Sequence, residues 1–322
     1  MRIAVVGLGS MGRRRLRLLS EIVPAASLVG IDSRSDRRDA VVQAMPAVAV
    51  EDSLEQAGAI DAIFVCTPPG THAQLILAAL RNHCHVFTEL NLMIDGYSEM
   101  RELAGRQGVV LYPSATFLKR AELRYVTRRV AERPAAYNYS VGQYLPDWHP
   151  WEPYDRFFVA NKATNACREL LSIELPWLIR AFGPISGVAA HATRLSGLKI
   201  DYPDVLQLHL THEGGSCGQL GIDVVSRVAR RHLTVVREDL YLQWAGTPDS
   251  LSDWRSGRLE PVRLTDSATH DPDYDAMIIE DAYAAEVRDF LACIETGAAP
   301  EYTLDDDLSA LSWVDRIEEQ YL

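Results

Sequence analysis

Ile3-Ala4-Val5-Val6 runs straight into Gly7-Leu8-Gly9-Ser10-Met11-Gly12, and the reading of the whole chain turns on these ten residues. Four consecutive apolar residues suit a strand buried on both faces, and the helix-like segment from Met11 begins inside the glycine string. At this spacing the first glycine permits a tight turn and the second lets a pyrophosphate reach the backbone. The third lets strand and helix pack closely, with the helix amides facing the anion. Glycines alone mark many turns, so the next strand matters. Leu28 to Ile31 ends on Asp32, a carboxylate placed to accept hydrogen bonds from an adenosine ribose and to repel a 2'-phosphate. A dinucleotide site at Gly7, Leu8, Gly9, Ser10, Met11, Gly12, Asp32, Ser33 and Arg34 follows. NAD is the expected cofactor and NADP the alternative, because an arginine at position 34 suits an adenine face or a phosphate. The competing reading is a strand-turn-helix whose glycines serve packing alone.

Working outward, short apolar runs alternate with amphipathic ones through the first hundred or so residues, the pattern of a parallel sheet covered by helices. Ile63 to Cys66, Val86 to Thr88 and Val109 to Leu111 continue the strands, and helices are expected near Asp36, from Thr71, and after Asp95 as its cap. Beyond a helix at Lys119 to Ala131 the pattern changes to longer strands and hairpins. Val205 to Thr211, Gly218 to Val225, His232 to Val236 and Leu240 to Trp244 form the expected meander, before helices at about Glu280 to Glu295 and Leu304 to Gln320. The fold class is therefore α/β: an N-terminal doubly wound Rossmann domain (1–118) and a C-terminal α+β domain with an open, mostly antiparallel sheet (119–322). A chain of 322 residues exceeds one small core, which agrees with two domains.

Bulk composition excludes several classes. A net charge of −12 argues against nucleic-acid binding, which needs a basic surface. Five cysteines without a C-x-x-C pair signal neither a disulfide framework nor zinc, and no metal is expected. No long apolar run suggests a membrane span, and Met1 to Gly7 lacks a basic leader, so a cytoplasmic location is expected. Arg13, Arg14, Arg15 and Arg17 read as a solvated helix face. His209 and His212, three apart in a strand, point to opposite faces and read as sheet residues.

Cys66-Thr67-Pro68-Pro69-Gly70-Thr71-His72, an alanine- and leucine-rich helix, and His85-Val86-Phe87-Thr88-Glu89 together resemble the Gfo/Idh/MocA oxidoreductases. The resemblance extends through Phe117 to Arg120 and the Tyr283, Glu286, Phe290, Gly297 pattern. It implies a nicotinamide site between two domains, to which Thr67, Pro68, Pro69, His72, Glu89 and Asn91 contribute, and homodimers or homotetramers built on the outer sheet faces. Two departures stand out. The family usually reads Glu-Lys-Pro where this chain reads Glu89-Leu90-Asn91, and Leu90 has no proton to donate. In Asn165 to Gly183 the family's aspartate falls on Glu169 and its histidine on Ile173, or on Glu174 after a one-residue shift.

Hydride transfer at an alcohol carbon needs a partner for the hydroxyl proton. The candidates are His149, Glu152, Glu169 and Glu174, with Trp148, Trp151, Tyr154, Lys162 and Arg168 as substrate contacts. Asp147-Trp148-His149-Pro150-Trp151-Glu152 supplies imidazole, carboxylate and aromatic platforms within six residues of a long connection, although tryptophans that merely anchor the loop would leave the same trace. The expected activity is NAD(P)-dependent oxidation or reduction of a secondary alcohol or ketone in a sugar, sugar nucleotide, aminosugar or cyclitol. Imine or enone reduction and a non-catalytic NAD-binding sensor or scaffold are the alternatives.

Overall fold

A computed structural model describes residues 1–149, 152–264 and 277–322. Their contacts divide into two compact units, Met1–Ala115 with Tyr283–Leu308, and Thr116–Ala282 with Ser309–Leu322.

The first unit runs β1 (Arg2–Val6), α1 (Ser10–Ile22), β2 (Ser27–Ile31), α2 (Ser35–Ala44), β3 (Ala49–Glu51), β4 (Ala62–Val65), α3 (His72–Arg81), β5 (His85–Thr88), α4 (Tyr97–Gln107) and β6 (Leu111–Pro113). Its sheet has the order β3-β2-β1-β4-β5-β6, and its pairings are parallel. Because β1 lies between β2 and β4, successive crossovers leave it in opposite directions, and a crevice opens at its carboxyl end, where Gly7 begins. Strand residues Ile3, Val5, Ala62 and Phe64 are fully buried because helices cover both sheet faces. The short edge strand β3 carries no apolar run long enough to read from sequence. Asp95 does not cap the following helix: Gly96, at φ +75°, holds the cap position of α4. A side chain there would carry the strain of a left-handed backbone, so glycine wins over the aspartate.

In the second unit come α5 (Ala121–Val130), β7 (Ala136–Gly142), α6 (Ala166–Phe182), β8 (Ile185–Thr193), β9 (Val205–His212), β10 (Cys217–Asp223), β11 (Arg230–Arg237), β12 (Leu240–Trp244), β13 (Ser252–Arg255) and β14 (Arg258–Pro261). The sheet order is β14-β13-β12-β11-β7-β10-β9-β8. Neighbours are antiparallel except β7 and β10, which run parallel from Ala136↔Cys217 to Gly142↔Asp223. One face is apolar: Leu206, Leu208 and Leu210 are buried while Gln207, His209 and Thr211 are exposed. α6 covers the buried face, with Trp177 edge-on to Tyr139 at 5.2 Å and Phe182 stacked on Tyr137 at 4.3 Å.

The last two helices, α7 (Glu280–Thr296) and α8 (Leu304–Glu318), link the units along the chain. Sequence alone sets a boundary at 118/119, but Val287, Phe290 and Leu291 of α7 belong to the first core. There Phe290 packs edge-on against Phe64 at 5.3 Å, beside the stacked Phe64–Phe87 and Phe87–Tyr112 pairs. Burying these apolar side chains assigns the segment to the first unit.

Candidate functional site

Each glycine of the fingerprint has its own neighbours. Gly7 has φ +91°, and a Cβ on it would lie 2.6 Å from the Cys66 carbonyl oxygen. At Gly12 a Cβ would fall 1.8 Å from the carbonyl oxygen of Gly7, so helix and turn pack too closely for any side chain. Gly9 differs: the nearest atom to its Cβ position is an Arg37 guanidinium nitrogen at 3.8 Å. A side chain there would occupy open space rather than protein. Gly9 also caps α1 without a side-chain hydrogen bond, and no acidic residue stands in the first turn of that helix. Open room before a helix start of this kind fits a dinucleotide pyrophosphate. Ser10 and Met11 line it half-buried, while Leu8 is buried and donates its amide to Asp32 Oδ2 at 2.8 Å.

Asp32 is held inward. Besides the Leu8 amide it accepts the Arg34 amide on Oδ1 at 2.9 Å, and Arg37 stands 3.4 Å from Oδ2. Ser33 is exposed, and the Arg34 guanidinium pairs with Asp36 at 2.7 Å.

The Thr67-Pro68-Pro69 turn is braced from below. His72 is buried, with Nε2 2.8 Å from the Thr67 carbonyl and Nδ1 2.9 Å from Asn91 Oδ1. Asn91 donates its amide to Asp307 Oδ2 at 3.2 Å, and Asp307 also accepts from Tyr302 at 3.0 Å and from Tyr97. Burial pushes the Asp307 carboxyl up, against the lowering effect of those three neutral donors. His72 and Asn91 thus brace the turn through its buried side. Glu89 is fixed by Arg15, whose Nε donates to Glu89 Oε1 at 2.6 Å.

That arginine overturns the expectation of a solvated face on α1. Arg15 has no exposed side-chain surface: it lies over the Phe87 ring at 4.5 Å, and its guanidinium bonds Glu89, Glu286 at 2.7 Å and the Tyr283 carbonyl at 3.0 Å. It shares a face with Gly12, Leu16 and Leu19, and that helical spacing was the signal available in sequence. Arg14 is buried too, 4.7 Å from the Tyr283 ring centre. Arg37 and Asp307 also went unread.

In the second unit, α6 starts under an Asn165 cap whose side chain accepts the Arg168 amide at 2.8 Å. Glu169 sits in that first turn. Its Oε2 is buried with no hydrogen-bond partner among the described residues, and burial alone pushes the carboxyl up to about 7. Glu174 is different. Fully buried, it accepts from Trp177 Nε1 at 2.7 Å, Tyr139 OH at 2.8 Å and Arg231 Nε at 3.1 Å, an ion pair built into the core. Three donors on one carboxylate leave little capacity to exchange a proton with a substrate. Arg168 pairs with Asp315 at 2.6 Å and with Glu318, tying α6 to α8 rather than standing open to a ligand.

The connection before α6 is not structureless; Leu145–Asp147, Tyr154–Arg156, Phe158–Ala160 and Lys162–Thr164 each form a 3-10 turn. Trp148 donates Nε1 to the Gln143 carbonyl at 3.2 Å. The half-buried His149 ring lies 4.4 Å from that of Phe157, and burial lowers its pKa despite the opposing effect of Glu152. Glu152 is half-buried, Lys162 is exposed, and the Tyr154 hydroxyl accepts the Lys199 amide at 3.1 Å. Trp151 lies outside the described residues. His212 is tied to the Gly183 carbonyl and Tyr137, and His209 is exposed on the opposite face, as their spacing requires.

Residues 1–114 match the Gfo/Idh/MocA description, an oxidoreductase family with an NAD-binding Rossmann fold. The match ends at residue 114, so it is the first third of the chain that is similar to the NAD-binding Rossmann domain of these oxidoreductases. Solved structures share its fold over nearly the whole length. UDP-N-acetylglucosamine 3-dehydrogenase GnnA from Acidithiobacillus ferrooxidans aligns with TM-score 0.80 at 18% identity, over 99% of this chain and 97% of its own. The WlbA dehydrogenase from Bordetella pertussis, solved with NADH and UDP-GlcNAcA, gives 0.78 at 18% identity, over 100% and 96%. GenD2 from gentamicin A biosynthesis, solved with NAD, gives 0.79 at 17%, over 99% and 93%. Among curated proteins, none matches the sequence. Among the described residues no helix is long and apolar enough to cross a membrane, and no group of three metal-ligating side chains occurs.

Proposed function

We propose that this protein transfers a hydride to or from a secondary alcohol or ketone carbon of a sugar nucleotide, aminosugar, related sugar or cyclitol, and that Glu169 moves the hydroxyl proton. When bound, NAD supplies the hydride acceptor or donor. The Gly9 opening and the start of α1 hold its pyrophosphate. The braced Thr67-Pro68-Pro69 turn and the fixed Glu89 present a rigid surface to the nicotinamide end. Leu90 offers no proton, so the proton must pass elsewhere.

One observation carries the assignment: Glu169 is a half-buried carboxylate whose Oε2 is shielded and lacks a partner among the described residues, and desolvation pushes its pKa up to about 7. An acid-base group works best with a pKa near the operating pH, and Glu169 pairs such a pKa with a side chain that is half-buried and so keeps some accessible surface. Glu174 has its donors already and is left out. His149, neutral near pH 7, is the second candidate. The sugar class draws support from the three similar structures, whose names or ligands mention UDP-N-acetylglucosamine, UDP-GlcNAcA and gentamicin A biosynthesis.

Glu169→Gln should lower kcat by about 10²- to 10³-fold, the range for loss of an acid-base group, and leave NADH affinity within a factor of two or so. For alcohol oxidation, the wild-type kcat/KM should rise with pH and level off above about 7, where Glu169 is ionised; for ketone reduction it should fall. Absorbance at 340 nm with NAD⁺ or NADH and a panel of UDP-sugars and keto-sugars measures both. Unchanged turnover in the variant removes Glu169 from the mechanism. Tight NADH binding with no turnover of any panel member removes the enzyme reading.

A further inference from the structure

A groove lies at the opposite end of the first unit's strands from the glycine fingerprint. Strands β5 and β6 begin at His85 and Leu111, and both residues line it, whereas the dinucleotide crevice opens at the carboxyl end of β1. α4 forms one wall, and the end of α7 with the connection into α8 forms the other. The space amounts to about 420 Å³, the size of a small-molecule site. Missing side chains create it: Gly105, Gly108 and Gly297 line the groove, and a Cβ built on any of them meets nothing within 4 Å. Val110, Ile294 and Leu304 give it apolar surface.

Charges of both signs border this space. α4 ends at Gln107 and α7 at Thr296, each followed by a left-handed glycine that lines the groove, so two helix C-termini, both negative poles, meet at one place. Among the described residues no hydrogen bond reaches the carbonyl oxygens of residues 105–107 or 294–296. The opposing pole, the start of α8, is already met by Asp305, Asp306 and Asp307 in its first turn. Asp305 also lines the groove, paired at 2.9 Å with Arg101 from the α4 wall; both side chains are more than half exposed, so the pair opens at little cost. His85 supplies a donor. Its Nδ1 accepts the Val110 amide at 3.0 Å, and burial lowers its pKa despite the opposing effect of Asp61, so the ring is neutral near pH 7 and carries its hydrogen on Nε2. That Nε2 has no hydrogen-bond partner among the described residues.

We propose that this groove binds an apolar α-amino acid as its zwitterion. The ammonium group donates to the helix-end carbonyls and to Asp305, and the carboxylate accepts from Arg101 and from His85 Nε2. The apolar side chain covers Val110, Ile294 and Leu304. A cation alone would leave Arg101 and His85 without a counterpart, and an anion alone would face two negative helix ends. Because the groove and the dinucleotide crevice stand at opposite ends of the strands, both ligands are held at once. The proposal does not depend on the dinucleotide assignment at Gly7–Gly12.

Calorimetric titration of the purified chain with L-leucine and with L-phenylalanine tests it. At least one should bind with a Kd of about 1 mM or tighter. For the tighter of the two, the matching amine without the carboxylate and the matching acid without the ammonium group should each bind at least about tenfold more weakly. Gly105→Leu places a side chain in the open groove, at a helical position where glycine is the poorer helix former, so it should melt no lower than the wild type and weaken the amino acid at least about tenfold. Asp305→Asn, on exposed surface, should weaken it by about three- to tenfold. Saturating NADH should leave amino-acid affinity within about twofold. The proposal is overturned if neither amino acid binds, if the amine or the acid binds as tightly, or if NADH competes. It is equally overturned if Asp305→Asn binds like the wild type, or if Gly105→Leu melts like the wild type and still binds.

Discussion

Glu286 in the first unit is a carboxylate removed from water, whereas Glu169 in the second is half-buried with only its Oε2 removed from water, and their surroundings could hardly differ more. Glu286 accepts from the Arg15 guanidinium, from the Ser114 hydroxyl at 2.9 Å and from the Ala115 amide at 2.8 Å. Glu169 has a buried oxygen with no donor among the described residues, and its pKa rises to about 7. A compensated carboxylate is architecture, because its charge stabilises the groups that surround it. An uncompensated one carries a standing energetic cost that a reaction needing a proton acceptor near neutrality can use.

Removing the cation from the first site should give the largest effect. Arg15→Met leaves Glu286 and Glu89 facing each other with no positive partner, and breaking a buried pair from one side typically costs about 3–5 kcal/mol. Urea unfolding of Arg15→Met against the double variant Arg15→Met/Glu286→Gln measures it, with part of the loss recovered in the double variant. A change below about 1 kcal/mol in the single variant would mean that Arg15 is no keystone.

Glu169→Gln should act in the opposite direction on stability. The carboxyl goes from an ordinary value of 4.5 to about 7 on folding, so the folded state holds the proton more tightly. Below pH 4.5 both states are protonated and the group contributes no penalty. Between 4.5 and 7 the unfolded chain ionises first, and stability falls as pH rises. Above 7 the penalty is complete, at most about 3 kcal/mol for a shift of this size. Glutamine should therefore stabilise the protein by roughly 1–3 kcal/mol at pH 8 and hardly at all at pH 4.5. Equal stabilisation at both pH values would show that the raised pKa is not the cause.

The glycines sharpen the same contrast between architecture and function within ten residues. Gly12→Ala forces a Cβ to within 1.8 Å of the Gly7 carbonyl oxygen, which fixed backbone cannot accommodate, and should cost about 1–3 kcal/mol or more of stability. Gly9→Ala meets nothing closer than 3.8 Å and should melt within about 1 kcal/mol of wild type. Its methyl group occupies the opening instead, so NADH should bind at least tenfold more weakly. Equal thermal destabilisation by the two variants would undo the division of roles.

These cases also mark how far the sequence could be read. The fingerprint was legible because it is a local backbone requirement: Gly7, Gly9 and Gly12 act within a single turn. Arg15 was not, since its partners Glu89 and Glu286 stand 74 and 271 residues away and its neighbours Arg13 and Arg14 disguise it as part of a charged run. Sequence offers both Glu169, in the family's aspartate slot, and Glu174, in its histidine slot after a one-residue shift, as proton-transfer candidates. Only the arrival of Tyr139 and Arg231 from β7 and β11 separates the occupied carboxylate from the open one. Asp32 follows the second strand as read, but the inward turn of its carboxylate is set by the Leu8 and Arg34 amides, backbone donors that sequence does not display.

Asn91 gives the smallest effect and the finest test, because it stands where the family usually carries proline. Asn91→Ala removes the donor to Asp307 and the acceptor facing His72 Nδ1. Neither partner is stranded: Asp307 keeps Tyr97 and Tyr302, and Thr88 Oγ1 remains 3.3 Å from the imidazole. The loss should therefore stay near that of one or two ordinary hydrogen bonds, about 1–2 kcal/mol in urea unfolding. Because the same ring holds the Thr67 carbonyl, a loosened His72 should also loosen the turn and weaken NADH by about three- to tenfold. A stability loss without any change in NADH affinity would confine Asn91 to the core, and the brace beneath the Thr-Pro-Pro turn would then have no bearing on the cofactor.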